Sequence, residues 1–371
     1  MIPYGSQIID NKDIKGVVGV LKSDWLTQGP KIKEFEEKLA KYCGAKYAVA
    51  VSSGTSALHL AYLTAGLKRG DEVITTPNTF VATSNMLLVL GAKPVFTDVR
   101  KDNYNILESD IEKYITKKTK AIVPVHFAGT PCEMDKIIAI AKKYKLIVIE
   151  DACHALGASY KSVKVGNLKS DMTVMSFHPV KSITTGEGGA VLTSNKNFYK
   201  KLLLLRSHGI TKDSKGFNVM TELGYNYRMT DIAASLGITQ LKKIDRFIKK
   251  RKQVVSWYEE FLKDCKDIIL PETNLNSACH IYVIRTKKIE DRLPLYNFMR
   301  NSGIGVNFHY PAVYSHPYYR NNGYAKLKLP AEEIYQNSCI TLPCFPGLSQ
   351  KKVKYVSGVI KSFFKKTKAG G

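Results

Sequence analysis

Short runs of Val, Ile and Ala alternate along this chain with stretches of helical spacing, and few folds tolerate that alternation. "YAVAVSS" (Tyr47 to Ser53) precedes "TSALHLAYLTAGL", "DEVITTP" precedes "TFVATSNMLLVLG", and "AIVPVHF" precedes "CEMDKIIAIAKKY". "LIVIED" opens another such pair, and "MTVMSF" and "GAVLTS" read as two further strands. A strand that is apolar at every position has no face to give to water. It must lie in a sheet covered on both sides, and strands joined through helices run parallel. The expectation is an α/β domain on a mostly parallel sheet. A single long helical pattern from about Asp231 to about Leu262 ends this regime. Beyond it "HIYVIRT", "RLPLYNFMRNSG" and "IGVNFHY" read as an α+β unit. We place a boundary near residue 245, giving a large α/β domain over 1–245 and a smaller C-terminal α+β domain over 246–371, with the first residues of the chain free to pack on the small domain.

The 371 residues, 44% of them apolar, suffice for a full core in such an arrangement. No apolar run is long enough to span a bilayer. "MIPYGSQIIDNKD" has neither a basic nor an apolar leader region, so the expectation is a cytoplasmic protein without a membrane partner. The seven cysteines include no C-x-x-C pair and are odd in number, which reads as reduced thiols; no histidine spacing suits a metal, and none is expected. The net charge of +24 raises the question of nucleic acid. The lysines are spread over the whole length among glutamates, and the densest run, "KKRK" at Lys249 to Lys252, falls in the long helical pattern, where a solvated face accounts for it. No nucleic-acid partner is expected. A basic surface still attracts small anions, nucleotide sugars among them.

Ligands of open α/β sheets bind beyond the carboxyl ends of the strands, and several features fall there. "SSGTSAL" joins a strand to a helix at Gly54-Thr55-Ser56; it is either an anion cradle of helix N–H groups and hydroxyls or plain helix capping. "LIVIED" ends on Glu150-Asp151, a ligand contact or a cap. "SFHPVKSITTGEGGAV" sets Lys181 thirty residues after Asp151, between a strand and a glycine-rich turn. Most lysines simply reach for water, but this setting suits an amine that forms Schiff bases. "GYNYRMTDIAASLG" puts Asn226, Arg228 and Asp231 before a helix, where capping accounts for only part of the pattern. Taken together, an anion cradle, then an aspartate, then a lysine is the order expected of a pyridoxal 5'-phosphate (PLP) site. The aspartate would keep the ring nitrogen protonated, and the lysine would carry the cofactor.

The same segments, with "WLTQGPKIKEFE", "TPNTFVATSNM", "EDACHALGASY", "RSHG" and "HYPAVYSHPYY", resemble the DegT/DnrJ/EryC1/StrS sugar aminotransferases over nearly the whole chain. The resemblance implies the fold-type-I PLP architecture, with a mainly parallel seven-stranded sheet in the large domain. It implies that Lys181 is the Schiff-base lysine and Asp151 the partner of the ring nitrogen. His154 would sit beside the ring oxygen, Gly54, Thr55 and Ser176 at the phosphate, and Phe80 near the ring. Asn226 would reach the phosphate from a second subunit, which implies a homodimer with shared sites. Tyr4, the stretch Asp24, Trp25, Leu26, Thr27, and the stretch Asn307, Phe308, His309, Tyr310 would lie near the sugar, as would Gly54. Within the family "LTQG", "SFH", "ITTGEGGAV" and "FHYPAVY" are most similar to the pseudaminic-acid branch. That branch implies transfer from L-glutamate to C4 of a UDP-linked 4-keto-6-deoxy-N-acetyl hexose; bacillosamine, legionaminic-acid and perosamine enzymes share much of the pattern. Relatives with histidine in place of the lysine are dehydratases, and a regulatory protein on the same fold is the reading from another class. Lys181 speaks for transamination.

Overall fold

Successive residues of the first strand, β1 (Tyr47–Val51), face opposite ways. Val49 and Val51 enter one apolar cluster and Ala48 and Ala50 another. The same division holds along β2 (Glu72–Thr75), β4 (Thr119–Val123), β5 (Ile147–Asp151), β6 (Met172–Ser176) and β7 (Gly189–Thr193), as the two-residue period of a strand requires. With β3 (Lys93–Phe96) these strands form one seven-stranded sheet in the order β1-β7-β6-β5-β4-β2-β3. It is parallel except for β7, which runs antiparallel to both neighbours. The computed structural model describes residues 1–272 and 274–369.

Helices α3 (Gly54–Thr64), α4 (Ala82–Val89) and α6 (Lys196–Arg206) cover one face. The other face is covered by α2 (Pro30–Cys43), α5 (Met134–Tyr144), α7 (Asp231–Leu241) and the first turns of α8 (Ile244–Leu262), while α1 (Asn11–Leu21) packs outside on α7. Each fully buried Val, Leu, Ile or Phe contributes about 1.5–3 kcal/mol relative to exposure, so the two clusters hold the sheet between its helices.

The single helix expected over Asp231 to Leu262 is two. Lys243 N donates to Gln240 O at 2.9 Å, an i→i−3 bond that tightens the turn, and the Lys243 ammonium reaches back to Asp10 at 3.0 Å and to Asp13. Two helices joined by a tight turn let the chain leave the first core and enter the second. On α8, Ile244, Phe247 and Ile248 belong to the large core, whereas Val254, Val255, Tyr258 and Leu262 belong to the small one. The small unit adds a three-stranded antiparallel sheet, β8 (Ile268–Ile269), β9 (Tyr282–Thr286) and β10 (Cys339–Leu342), with α9 (Arg292–Asn301), α10 (Pro330–Gln336) and α11 (Gln350–Ala369). "IGVNFHY" forms only isolated bridges, Ile304 to Ile2 and Asn307 to Thr341, so the N-terminus is fastened to the small unit. All parallel strands end at one edge, and there the loops after β1, β2, β5 and β6 meet residues 307–311 of the small unit.

Candidate active site

A cavity of about 670 Å³ opens at that edge. Its floor begins at Ser53, whose hydroxyl accepts from Ser56 N at 3.0 Å and so fixes the start of α3. The first N–H groups of a helix have no acceptor within it and carry its positive pole, which makes Gly54 and Thr55 an anion cradle. Glycine at 54 is a matter of space: a Cβ there would lie 2.9 Å from Ser176 Cβ. Gly189 is forced likewise, since its Cβ would lie 2.4 Å from Ser53 O. Of the two alternatives the sequence left open, the structure shows the cap, made by Ser53, and the cap leaves the N–H groups of Gly54 and Thr55 available to an anion.

Asp151, the last residue of β5, is 5% exposed. Its Oδ2 accepts from Thr83 Oγ1 at 2.7 Å and its Oδ1 from Cys153 N at 3.1 Å. Its neighbour Glu150 points to the other face of the sheet. There it meets His126 Nε2 at 2.6 Å, Thr173 Oγ1 at 2.9 Å and the Ser170 hydroxyl, while Cys132 N donates to His126 Nδ1 at 3.1 Å. His126 N also donates to Asp151 O at 3.0 Å, so this buried group holds the strand end that presents the aspartate.

Lys181 enters the same cavity from the loop after β6. Burial pushes the pKa of its ammonium down; Cys153 and Asp151 oppose the fall and Arg251 adds to it. Cys153 is itself held as a neutral thiol by burial, so Asp151 is the carboxylate left to face the amine. An amine with a lowered pKa is a better nucleophile and base near neutrality.

The small unit supplies the opposite wall. Tyr310 Oη lies 3.0 Å from His154 Nε2 with the two rings stacked at 23°. Burial, reinforced by Lys181, keeps His154 and His280 well below the ordinary imidazole pKa and lowers that of His309 to about 4. The Tyr310 hydroxyl is pushed far up by burial and stays protonated. The direction of the Tyr310–His154 hydrogen bond depends on the imidazole tautomer, and His154 Nδ1 is a buried nitrogen with no partner among the described residues. His309 Nδ1 pairs with Thr341 Oγ1 at 2.9 Å.

The cavity thus gathers Tyr4, Gly54, Thr55, Phe80, Asp151 and His154 from the sequence-based set, and also Ser176, Lys181, Asn307, Phe308, His309 and Tyr310. Asp24, Trp25, Leu26, Thr27 and Asn226 do not line it. They are exposed near the start of α7, where Thr27 bridges Thr230, Asp231 N donates to Leu26 O at 3.0 Å, and Asn226 bridges Ser207. Sequence reasoning missed Thr83, His280 and Glu187 as lining residues. Thr83 stood inside the quoted "TFVATSNM", but nothing local ties it to a carboxylate 68 residues away.

The donor set fits PLP: helix N-terminal N–H groups for a phosphate, a buried carboxylate for a basic ring nitrogen, an amine for a carbonyl carbon, and an unpartnered ring nitrogen on His154.

The DegT/DnrJ/EryC1/StrS aminotransferase family matches residues 7–361 of the chain. The UDP-4-amino-4,6-dideoxy-N-acetyl-beta-L-altrosamine transaminase of Campylobacter jejuni (strain 81-176) is 41% identical over 100% of this chain and 99% of its own length. Among solved structures, Helicobacter pylori PseC, an aminotransferase involved in the biosynthesis of pseudoaminic acid, superposes with a TM-score of 0.94 at 34% identity, covering 98% of this chain and 99% of that one. The PLP form of Spr1654 from Streptococcus pneumoniae gives 0.93 at 30% identity, with 98% and 99% covered.

Proposed function

Because the chain belongs to the DegT/DnrJ/EryC1/StrS aminotransferase family, we propose that it moves the amino group of L-glutamate to C4 of UDP-2-acetamido-2,6-dideoxy-β-L-arabino-4-hexulose. The product is UDP-4-amino-4,6-dideoxy-N-acetyl-β-L-altrosamine, a step of pseudaminic acid biosynthesis. The observation that carries this reading is the presence of Lys181 and Asp151 in one cavity of a chain that matches the altrosamine transaminase from end to end.

PLP, when bound, supplies an electron-accepting ring that stabilises charge on the carbon losing its proton. The chain's residues supply the rest. Gly54, Thr55 and Ser176 would hold the phosphate. Asp151, braced by Thr83, would face the ring nitrogen and keep its proton in place. Lys181 Nζ would hold the cofactor in the resting enzyme. Once displaced by glutamate, it takes the proton from glutamate Cα, and in the second half-reaction it returns a proton to C4 of the sugar. Its lowered pKa suits both directions. His154 Nδ1 would donate to the ring oxygen, and Phe80 would cover the ring at the cavity mouth. Tyr4, Gly54 and residues 307–310 would contact the sugar.

The protein acts, in this reading, as a cytoplasmic homodimer with shared sites. Asn226 and the stretch Asp24 to Thr27 serve the partner's cavity, which is consistent with their exposure here. The division at about residue 245 separates the cofactor-holding unit from the unit that closes over the sugar. No helix among the described residues is long and apolar enough to cross a membrane.

The test is incubation with L-glutamate and a panel of UDP-4-keto sugars, with the configuration of the new amine assigned by NMR. Equal or better turnover of a sugar with the opposite C4 outcome sinks the substrate assignment. Turnover by Lys181→Ala at the native rate sinks the role of the lysine.

A further inference from the structure

Arg251 is 1% exposed, one of the most deeply buried large side chains, and no carboxylate pairs with it among the described residues. Its partners are backbone carbonyls. Nη1 donates to His280 O at 2.8 Å and to Cys344 O at 2.7 Å, Nη2 reaches Val180 O at 3.4 Å, and Nε has no partner. A buried cation without an anion is costly, and cheaper side chains could fill the same space, so its place needs a reason. The three carbonyls come from three parts of the chain. Val180 immediately precedes Lys181, His280 lines the main cavity, and Cys344 follows β10. Arg251 also stands on α8 between Ile248, in the large core, and Val254, in the small one. A small cavity of about 10 Å³ is lined by Lys181 and Arg251 together, on a different side of the lysine loop from the main cavity.

We propose that Arg251 is a positioning residue for the reactive lysine: it ties the Val180-Lys181 segment to both cores and sets a fixed second positive charge behind the amine. The inference rests on the reading of Lys181 given above and adds a residue that never meets substrate. The charged and titratable groups facing Lys181 are Asp151 and Cys153 from the end of β5, the imidazoles of His154, His280 and His309, and Arg251, with Glu187, His178, Tyr4 and Tyr310 also on the lining of the same cavity. Burial holds the thiol and the imidazoles neutral. Burial is the largest influence on the amine and lowers its pKa; among the charges, Asp151 attracts its proton and Arg251 opposes that attraction. Arg251 offsets that attraction without competing for the carboxylate, because its own hydrogen bonds go to carbonyls.

The test reads the lysine itself, in protein free of cofactor. Brief acetic anhydride labelling across pH, with the Lys181 peptide quantified by mass spectrometry, gives the midpoint at which the amine becomes reactive. Arg251→Gln should raise that midpoint by on the order of one pH unit. Arg251→Lys, which keeps the charge and loses the planar fork, should leave it within about 0.3 of a unit. An unchanged midpoint in folded Arg251→Gln overturns the proposal. Should that variant fail to fold, Arg251→Lys decides: a Lys181 midpoint within about 0.3 of a unit of native bears the proposal out, and a shift of about one unit or more overturns it. Borohydride fixation of added PLP onto native Lys181 is scored separately, so a failure of the proposed function is distinguishable from a failure of the Arg251 inference.

Discussion

The floor of the cavity and an exposed apolar rim of the chain outside it are built on opposite terms. On the floor, Asp151 and Glu150 sit back to back on one strand end, both buried, and each carboxylate has its own partners. On the rim, Trp25 and Leu26 before α2, and Phe217, Met220 and Leu223 on and beside the hairpin of Ile210–Lys212 with Asn218–Met220, expose large apolar surfaces, Leu223 at 72%, and none of them lines the cavity. A buried polar group must find its partners within the chain. An exposed apolar edge is left for another surface. The partners of the floor thus come from one chain, and the rim is the surface that the proposed function assigns to a second copy.

The floor can be broken first. Asp151→Asn keeps an oxygen that can accept from Thr83 or Cys153 and so should fold as the native protein does. It removes the charge, and the half-reaction with glutamate, followed by visible absorbance, should slow by about 100-fold or more, in line with the loss of one preorganised electrostatic contact. A rate within threefold of native would mean that the carboxylate has no catalytic part. Thr83→Val leaves the charge and deletes one hydrogen bond to it, which typically contributes about 1.5–3 kcal/mol. The same assay should show a roughly tenfold loss, with the Km for glutamate little changed. A loss confined to Km would place Thr83 at the substrate instead.

The rim is tested by sharing. If Asn226 serves the partner's cavity, Lys181→Ala and Asn226→Ala proteins, each impaired alone, should recover activity when unfolded and refolded together. Half of the statistically formed mixed dimers' sites would be native, so about a quarter of the native activity should return. No recovery, with mixed dimers shown to form by mass spectrometry, would confine each site to one chain.

The two regions were also unequally legible in the sequence. Strands such as Val49–Val51 announced a doubly covered sheet because every position is apolar, and the packing has no other solution. Asp151 and Lys181 stood out because each is a charge placed where an apolar run stops. What supports them did not stand out. Thr83 is an ordinary helix hydroxyl until folding brings it to Asp151, and His126 meets Glu150 only because β4 and β5 are neighbours. Arg251 lay within a basic run that reads as a solvated face, and α8 turned it inward where the two cores meet. The turn at Lys243 was hidden because no proline or glycine marks it; its cause is a pair of aspartates more than 200 residues earlier.

One buried carboxyl far from the cavity sharpens the contrast with the floor. Glu332, in the first turn of α10, is fully buried, and neither of its oxygens has a partner among the described residues. Burial first, and then Asp98, push its pKa well above the ordinary value. The folded protein therefore binds the Glu332 proton more tightly than the unfolded chain does. The contribution is most favourable below the unfolded pKa, near 4.5. It is lost as pH rises from there through the folded pKa, at about 1.4 kcal/mol per pH unit. Glu332→Gln removes this slope. Its Tm should match the native value under acid conditions and exceed it increasingly as pH rises, by roughly 2 °C per unit for a chain of this size, while the rate with glutamate stays native. A gain that does not grow with pH would mean that Glu332 is paired in solution, and then it would join Asp13, Glu36, Glu108 and Asp231, buried carboxyls that have partners as those of the floor do.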